Sequence, residues 1–249
     1  MSVHLVSITA IPAEPDRAEA KVQLAQRQQR QQTMTDTRRA LVLDAARAVF
    51  AESGIEGASI REIARRAGYT PGAIYSYFDS KEGIYGALLA ESLERLNAAV
   101  ADAKAPKNRP GKTLQAKALA WFGFYAENPR DLDLGFYLVQ GLQPRGLTPD
   151  LNGQLNDRLY AALRPCEDAL AAMGLPAEDA RAENTALFAH GVGLLLLQHT
   201  GRIRMFGQSA EALFARYVDQ LLERLLGQPL LGEPAAERAA SPQVDLFAG

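Results

Sequence analysis

From about Arg38 onward the apolar residues of this chain recur at spacings of three and four, the period of helices that bury one face, and no run alternates with the two-residue period of a strand. Leu41, Ala45 and Val49, with their neighbours Val42, Ala46 and Phe50, form the apolar side of a first helix over about 38–53, which Gly54 ends. Ile60, Ile63, Ala64 and Ala67 mark a short second helix, and Ile74 and Phe78 the inward face of a third. A fourth starts at Ser80 and runs past Leu96 on Ile84, Leu88, Leu89, Leu93 and Leu96, long enough to join two domains. The stretch KAPKNRPGK interrupts the pattern. Beyond it lie further helical segments at about 113–128, 131–142, 150–173, 178–201 and 209–227. Leu151, Leu155, Leu159, Leu163 and Leu170 keep helical spacing through Pro165, which predicts a kink near 161–164. The pattern is that of an all-α protein.

The ends of the two short helices carry more information than their middles. Ser59 stands at an N-cap with Glu62 three positions on, a capping box that satisfies two orphan N–H donors. Gly68 follows the last turn, where a left-handed residue is least strained as glycine. Thr70 caps the next helix and Pro71 occupies its first position, where the missing N–H and fixed φ do no harm. With Ile74 and Phe78 turned inward, Gly72, Ala73, Tyr75, Ser76 and Tyr77 are left for an outside partner. A capped helical corner is by itself a fold-level signal. The chemistry of this one points to DNA: Gly72 and Ala73 add almost no bulk, tyrosine hydroxyls flank them, and Asp79, Ser80 and Lys81 open a further helix whose amides and ammonium suit a phosphate.

The stretch from about Arg38 to Leu89, with VFAESG, IREIARRAG, TPGAIYSYF and SKEGIYGALL in succession, resembles the DNA-binding domain of the TetR family of bacterial transcriptional regulators. The resemblance implies that Thr70 caps the recognition helix and positions a phosphate, that Gly72 and Ala73 face the bases, and that Tyr75 and Tyr77 reach the backbone. It also implies that Arg61 reaches a guanine edge from the preceding helix and that Lys81 is the family's phosphate-binding lysine. Two features depart from the family pattern. Tyr77 stands where histidine is common, and Pro71 and Ala73 donate no side-chain hydrogen bond, so base readout leans on Arg61 and on DNA shape.

Charge is modest and unevenly placed. Residues 37–81 hold seven basic and five acidic residues, residues 82–249 sixteen and twenty, and residues 1–36 four of each, within a whole-chain net charge of −2. The surplus sits at the helix-turn-helix end and suits a few directed phosphate contacts with a moderate salt dependence. At 249 residues and 47% hydrophobic, the chain is long enough for one large or two modest cores. Its most apolar run, Gly191 to Leu197, falls far short of the roughly 20 residues of a membrane-spanning helix, and its N-terminus lacks a basic segment ahead of its short apolar stretch. No membrane partner and a cytoplasmic location are expected. The single cysteine, Cys166, excludes an internal disulfide and a cysteine-based metal cluster, and reads as inert packing.

The expected organisation is a disordered arm at 1–36, a helix-turn-helix domain at 37–81, a helical ligand-binding and dimerisation domain at 82–227, and a disordered tail at 228–249. For the first 36 residues two readings stand side by side. One is a flexible arm that brings Arg27 and Arg30 to DNA; the other is a natural start at Met34, with residues 1–33 foreign to the native protein. The TetR resemblance implies dimerisation through the last two helices, here at 180–200 and 210–226. Leu187, Gly191, Leu194, Leu195 and Gln198 form one stripe, and Leu213, Phe214, Tyr217, Val218, Leu221, Leu222 and Leu225 another. A homodimer would present two recognition helices about 34 Å apart to a palindromic DNA operator. Trp121, Phe124, Tyr125, Phe136, Tyr137, Tyr160 and Phe188 are the candidate contacts for a small apolar or aromatic effector, although aromatic residues at such spacing are more often core than ligand contacts.

Other functions find few parts. His190 and His199 lie nine residues apart on one helix, hence on opposite faces, so no metal site is expected there. There is no G-x-S-x-G, Walker loop or H-E-x-x-H, and Gly111-Lys112-Thr113 lacks the upstream glycine. Neither catalytic residues nor a cofactor are expected. The expected function is a ligand-released repressor, with a transcriptional activator as an alternative. A further alternative is an interaction protein, because Gln243-Val244-Asp245-Leu246-Phe247 is similar to the peptide by which bacterial proteins dock on the replication sliding clamp.

Overall fold

The computed structural model describes residues 17–136 and 147–227. Tyr137 and the Gln243–Phe247 pentapeptide therefore lie outside the described residues. Among those described, every regular element is a helix. The chain divides into two compact units between Ile84 and Tyr85, a few residues beyond the boundary expected at 81/82.

The first unit contains α1 (Arg17–Gly57), α2 (Ile60–Ala67), α3 (Pro71–Tyr75) and the start of α4 (Lys81–Asp102). Val42, Leu43, Ala46, Val49 and Phe50 of α1 are buried, as are Ile63 and Ala64 of α2, Ile74 of α3, and Phe78 just beyond it. Leu41 departs from the expected stripe. It lies a full 100° step around the helix from Val42 and is 48% exposed, while Leu43 takes a place in the core. Gly54, with φ of 65°, ends the regular run of α1 where the sequence places its stop.

The start of α1 differs more. Residues 17–37 are helical and continuous with the expected first helix, so from Arg17 on the separate irregular arm is replaced by helix. Composition explains it: alanine, glutamine, arginine and lysine are strong helix formers, and extending an existing helix needs no new nucleus. Residues 21–34 are exposed, which is why no apolar periodicity betrays the extension.

The second unit comprises the rest of α4 with α5 (Pro110–Glu127), α6 (Pro129–Phe136), α7 (Pro149–Ala172), α8 (Ala177–His199) and α9 (Ala210–Gly227), plus a 3-10 turn at Arg202–Phe206. Pro165 sits inside an unbroken α7. The core is centred on Trp121, Phe122 and Tyr125 of α5, all at most 2% exposed. The Phe214 ring of α9 stacks on Phe122 at 4.2 Å and meets the edge of Trp121 at 5.1 Å. Polar clips hold α4 in this unit: Lys117 Nζ donates to the Val100 carbonyl at 2.6 Å, and Arg158 pairs with Glu94 at 2.9 Å. Among the described residues no helix is long and apolar enough to cross a membrane.

Candidate functional site

Local hydrogen bonds build the corner between α2 and α3. Ser59 Oγ accepts from the Glu62 amide at 3.2 Å, the forward half of the expected capping box. The return half gives way to a stronger partner, because the Glu62 carboxylate takes Arg65 at 2.6 and 2.9 Å and is held below the usual carboxylate pKa by it. Gly68 ends α2 in the left-handed region (φ 75°), and the Tyr69 amide donates back to the Ala64 carbonyl at 2.9 Å. Thr70 Oγ1 accepts from the Ala73 amide at 3.3 Å, with Pro71 in the first turn. Arg66 forks onto Glu52 at 2.7 and 2.9 Å and so ties α2 to α1.

On this frame Thr70, Pro71, Gly72, Tyr75 and Ser76 are exposed or partly so and Ala73 is half-buried, while Ile74 and Phe78 are buried beneath them. A Cβ added at Gly72 would meet nothing within 4 Å, so the start of α3 is open to a close-approaching partner. Arg61 is exposed on α2. Lys81 Nζ donates to the Ala58 carbonyl at 3.4 Å, which sets the ammonium beside the turn that opens α2. Ser80 caps α4 through the Gly83 amide at 3.0 Å.

Two residues of this surface escaped the sequence reading. The Arg38 guanidinium hydrogen-bonds the Tyr77 side chain, which raises its pKa above the ordinary arginine value. Next to it the Arg39 guanidinium lies 4.5 Å from the centre of the Phe78 ring, a cation–π contact. The available signal was a pair of arginines immediately ahead of the first buried turn of α1.

Residues 42–88 match the family model described as bacterial regulatory proteins, tetR family. Over these residues the chain is similar to the TetR family's DNA-binding domain. Over 70 residues it is 39% identical to the transcriptional repressor AcnR of Corynebacterium diphtheriae, an alignment that covers 28% of this chain and 37% of AcnR. The chain thus matches about a third of the length of such curated relatives. The fold likeness extends further. The TetR family regulator PfmR from Thermus thermophilus superposes with a TM-score of 0.55 over 73% of this chain and 97% of its own, at 21% identity. FadR from Bacillus subtilis, a transcriptional regulator solved in complex with stearoyl-CoA, gives a TM-score of 0.52 over 76% and 97%, at 22% identity. These relatives are DNA-binding regulators, and no enzyme is among them.

The second unit contains a cavity of about 180 Å³. Leu89 and Leu93 of α4, Tyr125 of α5, Gly135 and Phe136 of α6, and Asn152, Leu155, Asn156 and Leu159 of α7 line it. Of the expected effector contacts, Tyr125 and Phe136 are there. Trp121 is instead sealed in the core, and Phe188 packs between it and Phe136 at centroid distances of 5.3 and 5.9 Å. Phe124 stands edge-on to Tyr125 at 5.4 Å without lining the cavity. Tyr160 is on the surface, 41% exposed, with its hydroxyl on Glu167 at 2.7 Å, because a phenol keeps its polar end wet or partnered. Asn152 and Asn156 went unnoticed in the sequence, although their four-residue spacing beside Leu155 and Leu159 was a legible signal. No lining side chain is ionised at neutral pH, and burial pushes the Tyr125 phenol further from ionisation.

The stripes expected at a dimer seam are largely used up inside the unit. Leu187, Gly191, Leu194 and Leu195 of α8 and Phe214, Val218 and Leu221 of α9 are buried within a single chain. A different face of α8 is exposed, made of Ala182, Ala186, Ala189, Gly193 and Leu196 at steps of four and three. His190 stacks on Tyr217 at 4.1 Å, and burial lowers its pKa. His199 Nε2 lies 3.0 Å from the Tyr125 carbonyl. The two imidazoles thus have separate surroundings, and among the described residues no group of three or more His, Cys, Asp or Glu converges on a metal. Burial pushes the Cys166 thiol up to about 12, which leaves it unreactive at neutral pH.

Proposed function

We propose that this protein is a homodimeric repressor that binds a palindromic DNA operator through α3 and releases it when a small uncharged molecule occupies the cavity of the second unit. The observation that carries the reading is the surface of α3. Gly72 and Tyr75 stand at the surface directly over the buried anchor Ile74, so the helix is fixed from behind and unobstructed in front. Recognition of a duplex asks for both. Arg61 and Lys81 then supply a base-edge and a phosphate contact, with the hydroxyls of Thr70, Ser76 and the two tyrosines on the backbone. DNA as partner makes the cytoplasm the place of action.

The exposed face of α8 suits a second copy, since small side chains let two helices approach closely along it. The cavity suits a neutral molecule of one or two rings whose polar atom meets the Asn152 and Asn156 amides; FadR, with its bound stearoyl-CoA, is a precedent for effector binding in this fold. Leu89 and Leu93 belong to the same helix that starts at Lys81, so the α4 backbone is the direct covalent route from effector to DNA-binding unit. A Cβ at Gly86 would stand 2.6 Å from Leu151 of α7, and this close fit makes α4 sensitive to small shifts in its bed. A coupling of about 1–3 kcal/mol, from several-fold to a hundredfold in operator affinity, is typical of such switches.

The test is sedimentation velocity of the protein mixed with a short palindromic duplex recovered from genomic DNA by binding selection. The reading predicts two chains per duplex, with indole, as a neutral two-ring probe, weakening the complex. A single chain per duplex would exclude the dimeric mode.

A further inference from the structure

The helical stretch ahead of the DNA-binding corner has no structural task in the unit it belongs to. Residues 21–37 precede the matched family domain at 42–88, and none of them is buried. Two contacts fix where this stretch departs: Arg38 is hydrogen-bonded to Tyr77, and Arg39 lies over Phe78. The rod therefore leaves from beside the turn that follows α3. Its charge is one-sided. Lys21, Arg27, Arg30, Arg38 and Arg39 face a single acidic residue, Asp36, which already accepts from Gln32 at 2.8 Å. Spacing aligns the charges as well, because Arg27 precedes Arg38 by about three helical turns, which puts it within about 20° of the same face and about 16 Å further along. Gln31 and Met34 lie between them on that face, and Arg30 stands one turn from Arg27 on its flank, its Nε on the Gln26 carbonyl at 3.3 Å.

We propose that residues 21–39 of α1 form a second DNA-binding element, a helical arm that runs along the phosphate backbone beside the groove entered by α3, with Arg27 and Arg30 on phosphates. The inference rests on the DNA-binding reading above. Continuity with the α3 surface and charge complementarity select a nucleic-acid backbone as the occupant. A rod with no apolar seam, carrying arginines and glutamines at helical spacing, makes backbone contacts that add affinity and salt dependence while leaving sequence preference unchanged.

The experiment compares the full-length protein with Arg27→Gln/Arg30→Gln and Arg27→Lys/Arg30→Lys variants on a duplex carrying the selected site within long flanks, across a salt series. Glutamine preserves helix propensity at these exposed positions, and circular dichroism checks that helicity is unchanged. For the glutamine variant, each lost phosphate contact lowers the salt slope of affinity by about 0.9 and the affinity near 0.15 M salt roughly fivefold. The lysine variant retains most of both, and the preferred sequence stays the same for all three proteins. If wild-type protein binds its site and the glutamine variant matches it in affinity and slope, the arm is overturned while the recognition helix stands. If wild-type protein binds no selected duplex, both are overturned.

Discussion

Gly191 of α8 backs directly onto the Trp121 ring of α5. A Cβ at this glycine would overlap the indole and stand 2.9 Å from Phe214 Cε2. The contact decides how α5, α8 and α9 close on one another. Trp121 is fully buried and boxed by Phe122, Phe188 and Phe214, so it has no free rotamer into which to retreat.

The first prediction follows from this fit. Gly191→Ala should destabilise the second unit by about 1–3 kcal/mol, the range for forced overpacking, even though alanine is the better helix former. Thermal unfolding checks it. An unchanged or higher melting temperature would mean that the helices separate without cost.

A second concerns the cap of α3. Thr70→Ala removes the acceptor for the Ala73 amide and should cost about 1 kcal/mol, whereas Thr70→Ser keeps the hydroxyl and the stability. Denaturant melts of the three proteins decide it. Equal midpoints for Ala and Ser would show that the hydroxyl does not support the helix.

Acid stability provides a third. Burial holds the His190 pKa below its ordinary value of 6.5, so the unfolded chain takes up the proton first as pH falls. Stability from the neutral imidazole is complete above about pH 6.5 and drains away below it. His190→Phe keeps a ring against Tyr217 and removes the titration. Melting temperatures on acidification from neutral pH should fall less steeply for the variant; parallel curves would place the acid sensitivity elsewhere.

The DNA-binding corner was legible in the sequence because caps, glycine stops and a proline at the first helical position act locally. Ser59, Gly68, Thr70 and Pro71 each do in the structure what their positions imply. What failed there was a competition: Glu62 has one carboxylate, and Arg65 displaces the Ser59 amide from it. The helicity of the arm from Arg17 on was missed because its helix is held by propensity alone, which leaves no hydrophobic period to read. In the second unit, apolarity places an aromatic residue inside without saying whether it meets another ring or an empty space. Trp121 and Tyr125 share a helix and a degree of burial, yet only the second reaches the cavity.

The role of α3 is decided by a random-sequence binding selection run in parallel with wild-type protein and Gly72→Trp. Because a Cβ at Gly72 meets nothing of its own chain, the variant should melt at the wild-type temperature. Its indole would block the tip of α3 from a groove. The expected result is one palindromic sequence enriched by the wild type and none by the variant. Enrichment of the same sequence by both, or of no sequence by the wild type, would contradict a DNA-reading α3.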